Sequence, residues 1–165
     1  MSIMGSKIKL LYFIGIQALV LYLICLIQVV LFPLPSVEKI ATLTGYKGQF
    51  IPLKFIHDIA ADRSVESVLQ VLLNILMTIP FGFFLKLFLN MKRRNIIIMT
   101  FLLSLFIEIA QLTGLFFIYP GSYRLFDVDD LMMNTLGGFL GTVVANTING
   151  IVPENYKKKY IVFNF

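Results

Sequence analysis

A small set of polar side chains lies within or beside otherwise apolar stretches of this 165-residue chain. The set shares ionisable or hydrogen-bonding end groups and comprises Asn74, Glu108, Gln111, Arg124, Asp127, Asp130 and Asn134. Carboxyl groups can exchange protons, and amide and guanidinium groups can orient a polar ligand. Such groups are costly in an apolar environment, so they are usually paired, buried and functional. We therefore predict that these residues form a ligand-binding site.

Spacing places several of these side chains on shared helical faces. Residues three, four or seven apart lie on one face of an α-helix. Glu108 and Gln111 are three apart, and Asp127, Asp130 and Asn134 follow an i, i+3, i+7 pattern. We therefore expect a carboxyl and amide pair on one helix and a polar stripe on the next.

Structural explanations of the same residues remain open. Asp127 and Asp130 resemble the acidic start of a helix, where a carboxylate caps free backbone amides. A structural ion pair between Glu108 and Arg124 is a second alternative, and the amides are also typical of hydrogen bonds that join membrane helices. Asp129 faces elsewhere on its helix, and we expect it to be solvated.

Metal and cofactor chemistry is poorly supported. His57 is the only histidine and Cys25 the only cysteine, and no HExxH or CxxC pattern occurs. Zinc sites usually combine several histidine or cysteine ligands at short spacings. We predict no metal and no cofactor, with His57 solvated or interfacial and Cys25 facing lipid or a neighbouring helix.

The elements that position these residues are apolar. Hydrophobic residues make up 58% of the chain and charged residues 14%, whereas soluble domains have about 45–50% and about 25%. A bilayer core about 30 Å thick requires roughly 20 apolar residues per helix. Four runs meet this requirement, at about residues 8–32, 66–90, 95–119 and 127–152. We predict an all-α integral membrane protein, a four-transmembrane-helix bundle that forms a single domain over residues 1–165.

The distribution of Lys and Arg predicts the orientation, because cytoplasmic flanks of membrane helices retain basic residues. The flanks on one side are strongly basic and contain Lys7, Lys9, Lys86, Lys92, Arg93, Arg94, Lys157, Lys158 and Lys159. The flanks on the other side mix basic with acidic residues, so both termini are predicted to be cytoplasmic. The net charge of +5 reflects this topology. No basic stripe alternates with aromatic residues, so nucleic-acid binding is not expected.

Two further features concern the connections and the packing. Residues 33–65 form the longest connection, which we expect to be an exterior loop with a short interfacial helix over residues 51–65. Gly137, Gly141 and Ala145 recur every four residues. This pattern lets another helix backbone approach closely.

Helix geometry also predicts the depth of the polar residues. A rise of about 1.5 Å per residue puts Asn74, Gln111 and Asn134 at one level, roughly 10–12 Å from the outer helix ends. Glu108 lies one turn deeper. The sequence thus predicts a polar pocket that opens to the exterior, and a break at Gly114 would bring Glu108 nearer the surface.

These residues also follow the motifs of a known family. Its loop motif, Asn-Leu-Ile-Pro-Phe, is similar to residues 49–53, with Gln49 at the asparagine position, and its second-helix motif is similar to Asn74 followed by residues 80–82. The other residues at the family's spacing are Ser104, Glu108, Gln111, Arg124, Asp127, Asp130, Asn134, Gly137 and Gly141. Over about residues 49–141 the chain therefore resembles the VanZ-like family of bacterial membrane proteins.

The resemblance implies a multi-pass protein of the bacterial cytoplasmic membrane that acts in the cell envelope. Some members are linked to resistance to the glycopeptide teicoplanin. The leading hypothesis is a pocket that binds an envelope lipid, a lipid-linked envelope precursor or a lipoglycopeptide. The alternative is a membrane enzyme in which Glu108, Asp127 and Asp130 perform acid–base or metal-assisted chemistry on a lipid headgroup. A small proton or solute carrier and a structural partner protein are further hypotheses.

Overall fold

The computed structural model describes residues 3–32, 34–45, 47–62 and 65–151. Its helices and strands are α1 (Ile3–Leu31), α2 (Val37–Thr42), β1 (Gly48–Gln49), α3 (Lys54–Asp62), α4 (Val65–Leu87), α5 (Arg93–Leu112), α6 (Gly114–Phe117), β2 (Phe126–Asp127) and α7 (Val128–Ile151). Among the described residues, four helices are long and apolar enough to cross a membrane, namely α1, α4, α5 and α7. The predicted class, an all-α protein with four spans, is confirmed.

Large apolar side chains remain exposed on all four long helices. Examples are Leu21 on α1, Leu76 on α4, Phe106 on α5 and Val144 on α7. In water such surfaces would be costly, whereas lipid tails are as apolar as leucine. The chain is therefore a multi-pass membrane protein.

The third long helix ends earlier than predicted. The apolar run over residues 95–119 predicted one continuous helix, but α5 ends at Leu112, and Gly114 has a φ of +62°. The Ser122 hydroxyl donates to the Leu112 carbonyl at 2.6 Å, so a side chain replaces the next helical turn at this end. Glu108 consequently lies one turn before the end of α5 and not deep in the span.

Helix α7 packs closely on α4 along its glycine face. A Cβ atom at Gly82 would overlap the carbonyl oxygen of Gly138, and one at Gly141 would overlap the α4 backbone. Across the same interface the Thr78 hydroxyl donates to the Asn134 carbonyl at 2.7 Å. The close approach predicted from the small residues is confirmed.

Helix α1 attaches to α4 near the turn between α4 and α5. Leu19 packs in a buried cluster with Phe81 and Leu85. The Tyr22 hydroxyl donates to the Met77 carbonyl at 2.5 Å. The opposite end of the bundle is hereafter called the mouth. There, α1 and α4 are separated by a cavity.

The connection between α1 and α4 folds over the mouth. Strand β1 pairs with β2 in parallel, with Gly48 opposite Phe126 and Gln49 opposite Asp127. Helix α3 follows β1 and lies within the range predicted for an interfacial helix. Its placement at the membrane surface stays a prediction.

The orientation across the membrane also stays a prediction. Residues 157–159 contributed to the charge argument, and they lie outside the described residues. The basic turn with Lys92 and Arg93 joins α4 to α5 at the end opposite the mouth. The mouth therefore faces the exterior if this basic turn is cytoplasmic.

Candidate functional site

The start of α7 is held by the carboxylate of Asp127. Its Oδ1 accepts a hydrogen bond from the Asp129 N–H at 2.8 Å, which is the geometry of an N-cap. Gln49 Nε2 donates to the same oxygen at 3.3 Å, because the strand pairing sets Gln49 beside Asp127. Burial raises the pKa of the Asp127 carboxyl above its ordinary value. The capping explanation thus applies to Asp127.

Asp129 is buried, so the prediction that it is solvated is wrong. The residue is 4% exposed, and its carboxylate accepts hydrogen bonds from the Leu53 N–H at 2.5 Å and the Phe55 N–H at 2.9 Å. The loop before α3 folds over the first turn of α7 and covers this face. Helical periodicity alone does not reveal such a cover. Asp129 therefore anchors the loop, and both of its oxygens are engaged.

Glu108 and Arg124 have separate partners. Glu108 is 2% exposed, and its Oε2 accepts a hydrogen bond from the Asp127 N–H at 2.9 Å. Arg124 Nη2 donates to the Phe32 carbonyl at 3.1 Å, beside the end of α1. The ion pairs of the described residues do not include Glu108 with Arg124. The structural ion-pair alternative is therefore wrong.

Asp130 connects α7 to α4. Asn74 Nδ2 donates to Asp130 Oδ1 at 2.5 Å, and the Gln70 side chain lies beside this carboxyl group. Glu66, Gln70 and Asn74 follow one another at intervals of four residues, so they share one face of α4. Gln70 was missed in the sequence, although this spacing is the signal that points to it.

The amides of Asn134 and Gln111 lie at different levels. Asn134 Nδ2 donates to the Ser104 hydroxyl at 2.8 Å, and its Oδ1 is buried without a partner in the described part of the chain. Gln111 Nε2 donates to the Val30 carbonyl at 2.9 Å. Because α5 ends at Leu112, Gln111 lies at the mouth. The predicted common level of three amides is therefore wrong for Gln111.

A cavity of about 680 Å³, hereafter the main cavity, opens between α1, α4, α5 and α7. All the predicted ligand-binding residues except Asp127 line it, namely Asn74, Glu108, Gln111, Arg124, Asp130 and Asn134. Its apolar walls contain Val29, Val30, Leu69, Leu73, Met77 and Leu125. Its volume falls in the range of small-molecule pockets, about 300–1,000 Å³.

A second cavity of about 190 Å³ lies beside α3. Asp127 lines it together with Lys54 and Asp58. Gln70, Leu125 and Asp130 line both cavities. The two spaces are therefore neighbours at the mouth, and Gln70, Leu125 and Asp130 lie between them.

The carboxyl groups divide into engaged and available ones. Asp127 and Asp129 accept backbone hydrogen bonds that hold the fold. Glu108 and Asp130 also accept hydrogen bonds, from the Asp127 N–H and from Asn74, but both in addition line the main cavity. Within the described ranges, no three His, Cys, Asp or Glu side chains are placed to hold a metal ion. The site can bind a polar group at one end of an apolar pocket.

Comparison with known proteins matches the chain to a family model. The VanZ/LLP1 model matches residues 19–149, which is more than half of the chain. This range includes every residue that lines the main cavity. No curated protein and no solved structure is significantly similar to the chain.

Proposed function

Because the chain belongs to the VanZ/LLP1 family, we propose that it binds an amphipathic lipid of the cell envelope in the main cavity. Binding changes the availability of that lipid at the outer surface, and thereby the access of a lipoglycopeptide such as teicoplanin. The observation that carries this proposal is the main cavity itself. Its polar end and apolar walls correspond to the headgroup and the acyl chains of a lipid.

The apolar walls suit an acyl chain. Leu69 and Leu73 lie four residues apart on one face of α4 and are about half exposed, at 48% and 52%. Val29 and Val30 contribute the facing wall from α1. The two helices contact each other at the end away from the mouth, so a lipid can enter between them from the bilayer.

The polar end suits a headgroup. Glu108 is almost fully buried beside the main cavity, and Asp130 and Asn134 approach it from α7. Arg124 lies at the rim, where its guanidinium group can reach both water and a headgroup. Buried ionisable groups are costly unless a partner compensates them, and a bound headgroup supplies that partner.

Filling the apolar walls tests this proposal. The substitution Leu73→Trp places a large ring in the main cavity, so we expect native mass spectrometry of the purified protein to show less co-purified lipid. The matched control is Leu102→Trp, because Leu102 is 50% exposed on α5 and does not line the main cavity. Equal lipid occupancy in both variants would count against the site.

A cellular assay tests the physiological role. If expression raises tolerance to teicoplanin, Asn74→Ala and Asp130→Ala should abolish the gain, because each breaks the hydrogen bond that closes the polar end. The control Asn95→Ala lies at the exposed start of α5. Immunoblots of the membrane fraction establish equal abundance. Full protection by both site variants would refute the role of the main cavity.

The proposal also requires that the mouth faces outward. With Cys25→Ser as background, we expect an impermeant maleimide on intact cells to label Thr44→Cys at the mouth end and not Asn95→Cys at the basic end. The reverse labelling would place the main cavity on the cytoplasmic side and exclude contact with an external antibiotic.

A membrane enzyme is the second candidate, favoured by one oxygen of Glu108 that has no hydrogen bond to any described residue. A carboxyl group of this kind can serve as a general acid or base towards a headgroup. Incubation of the purified protein with radiolabelled membrane lipids distinguishes the two functions. Release of a labelled headgroup that Glu108→Gln abolishes would assign catalysis in place of binding.

A further inference from the structure

Hydrogen-bond acceptors beside the main cavity lack donors. Asn134 Oδ1 is buried without a partner in the described ranges. Glu108 accepts a hydrogen bond from the Asp127 N–H through Oε2, which leaves its second oxygen beside the main cavity. One N–H of Asn74 donates to the Asp130 carboxylate, and one N–H of Gln111 donates to the Val30 carbonyl. Buried polar atoms in folded proteins almost always have partners. A ligand that supplies N–H or O–H donors therefore completes this end of the main cavity.

The acidic groups of the lining also outnumber the basic ones. Three carboxyl groups, those of Glu66, Glu108 and Asp130, line the main cavity against one guanidinium group, that of Arg124. None of these carboxyls forms an ion pair with a described basic residue. Arg124 uses only Nη2, towards the Phe32 carbonyl, among the described residues. A cationic group of a ligand could therefore pair with the carboxyl groups of the lining. An anionic group at the rim could pair with Arg124.

We propose, resting on the function proposed above, that the main cavity selects a zwitterionic lipid headgroup with a primary ammonium and a phosphate. The ammonium lies among Glu108, Asp130 and Asn134, because it brings three N–H donors and a positive charge. The phosphate lies at Arg124, whose planar group of donors suits phosphate oxygens. Phosphatidylethanolamine carries this headgroup.

Competition between lipids tests the selection. The purified protein is equilibrated in detergent with equal amounts of phosphatidylethanolamine and phosphatidylglycerol, and bound lipid is counted by native mass spectrometry. We expect about a tenfold preference for phosphatidylethanolamine, the size of effect that charge-assisted hydrogen bonds provide. Phosphatidylcholine, which carries a cation without N–H donors, should bind as weakly as phosphatidylglycerol. Equal binding of phosphatidylcholine and phosphatidylethanolamine would overturn the requirement for donors.

Two substitutions separate the two ends of the headgroup. Glu108→Gln can still accept from the Asp127 N–H, so the fold should persist while the preference for phosphatidylethanolamine disappears. Arg124→Gln should weaken the binding of phosphatidylethanolamine and of phosphatidylglycerol by a similar factor, so the preference for phosphatidylethanolamine should remain. The control Glu38→Gln, on exposed α2, should change neither quantity. Unchanged preference in the Glu108→Gln variant, or loss of preference in the Arg124→Gln variant, would refute the assignment.

Free phosphoethanolamine distinguishes a lipid from a soluble amine. It lacks acyl chains and gains nothing from the apolar walls, so we expect it not to displace bound phosphatidylethanolamine at the same concentration. Displacement would assign the polar end to a soluble ligand and overturn the lipid assignment. Failure to bind any lipid would refute the proposed function itself, whereas strong binding with a preference for phosphatidylglycerol would refute only the headgroup selection.

Discussion

The two halves of α7 meet their neighbours in different ways. The part from Gly137 onward, hereafter the tight half, presents Gly137, Gly138 and Gly141, which bring its backbone directly against α4 and the Thr100 side chain of α5. The first half meets its neighbours through polar side chains such as Asp130 and Asn134, and it borders the main cavity. One helix thus combines a tight interface with an open one.

This difference separates the part that sets helix position from the part that binds. Where two helix backbones are in contact, even one methyl group added at a glycine would overlap the neighbouring helix. Contacts through long polar side chains hold helices together at a greater distance and leave room between them. The tight half therefore determines where the open half lies.

The largest expected effect is at the tight half. In Gly82→Val the new side chain would collide with the Gly138 carbonyl, a backbone atom that cannot move aside. We expect a loss in free energy of unfolding above the about 1–3 kcal/mol that is typical of overpacking. Thermal unfolding in detergent and the yield of folded protein measure it.

The matched control for this substitution is Gly150→Val near the end of α7, the helix against which Gly82 packs. A Cβ atom there has no neighbour within 4 Å, so stability should change little. Similar losses at Gly82 and at Gly150 would show that valine in a helix, and not the tight interface, is responsible.

An intermediate effect is expected where the loop closes the open half. Asp129→Ala leaves the Leu53 and Phe55 N–H groups without their acceptor, and an unsatisfied buried donor costs about 1–3 kcal/mol. The unfolding temperature should fall, and protease cleavage between β1 and α3 should become faster. Asp129→Asn retains one acceptor oxygen and should recover part of the loss. If Asp129→Ala leaves the unfolding temperature and the rate of cleavage unchanged, the Asp129 carboxylate does not anchor the loop.

The smallest expected effect is on the pH dependence of stability. Burial raises the pKa of Asp127 in the folded state above 3.8, its ordinary value in the unfolded chain. Between the unfolded-state pKa and the higher folded-state pKa, the folded state therefore binds more protons than the unfolded state. The free energy of unfolding contributed by Asp127 therefore falls as the pH rises through this window. Asp127→Asn keeps an N-cap acceptor and cannot titrate. The difference in unfolding temperature, native minus variant, should decrease from acidic to neutral pH, and an increase would contradict the shift.

The sequence anticipated the parts of this architecture that depend on local pattern. Run length and hydropathy predicted the four spans, because the thickness of a bilayer directly demands them. The spacing of Gly137 and Gly141 predicted the close interface, and the spacing of Asp130 and Asn134 placed both on the stripe that now borders the main cavity. The two spacing predictions needed only the 3.6-residue period of one helix.

The tertiary structure alone decided which polar groups are engaged and which are available. Asp129 finds its partners 74 and 76 residues away in a loop, Gln49 meets Asp127 across 78 residues, and Gln111 meets the end of α1 across 81. A carboxylate on a helical face has the same local pattern whether a loop covers it or not. The sequence allowed for a break at Gly114 but did not decide it. The early end of α5 depends on the Ser122 hydroxyl, which donates to the Leu112 carbonyl from ten residues away. Long-range hydrogen bonds, which leave no periodic signal in the sequence, therefore distinguish Glu108 and Asn134, with acceptors still unpaired, from the carboxylates that hold the fold.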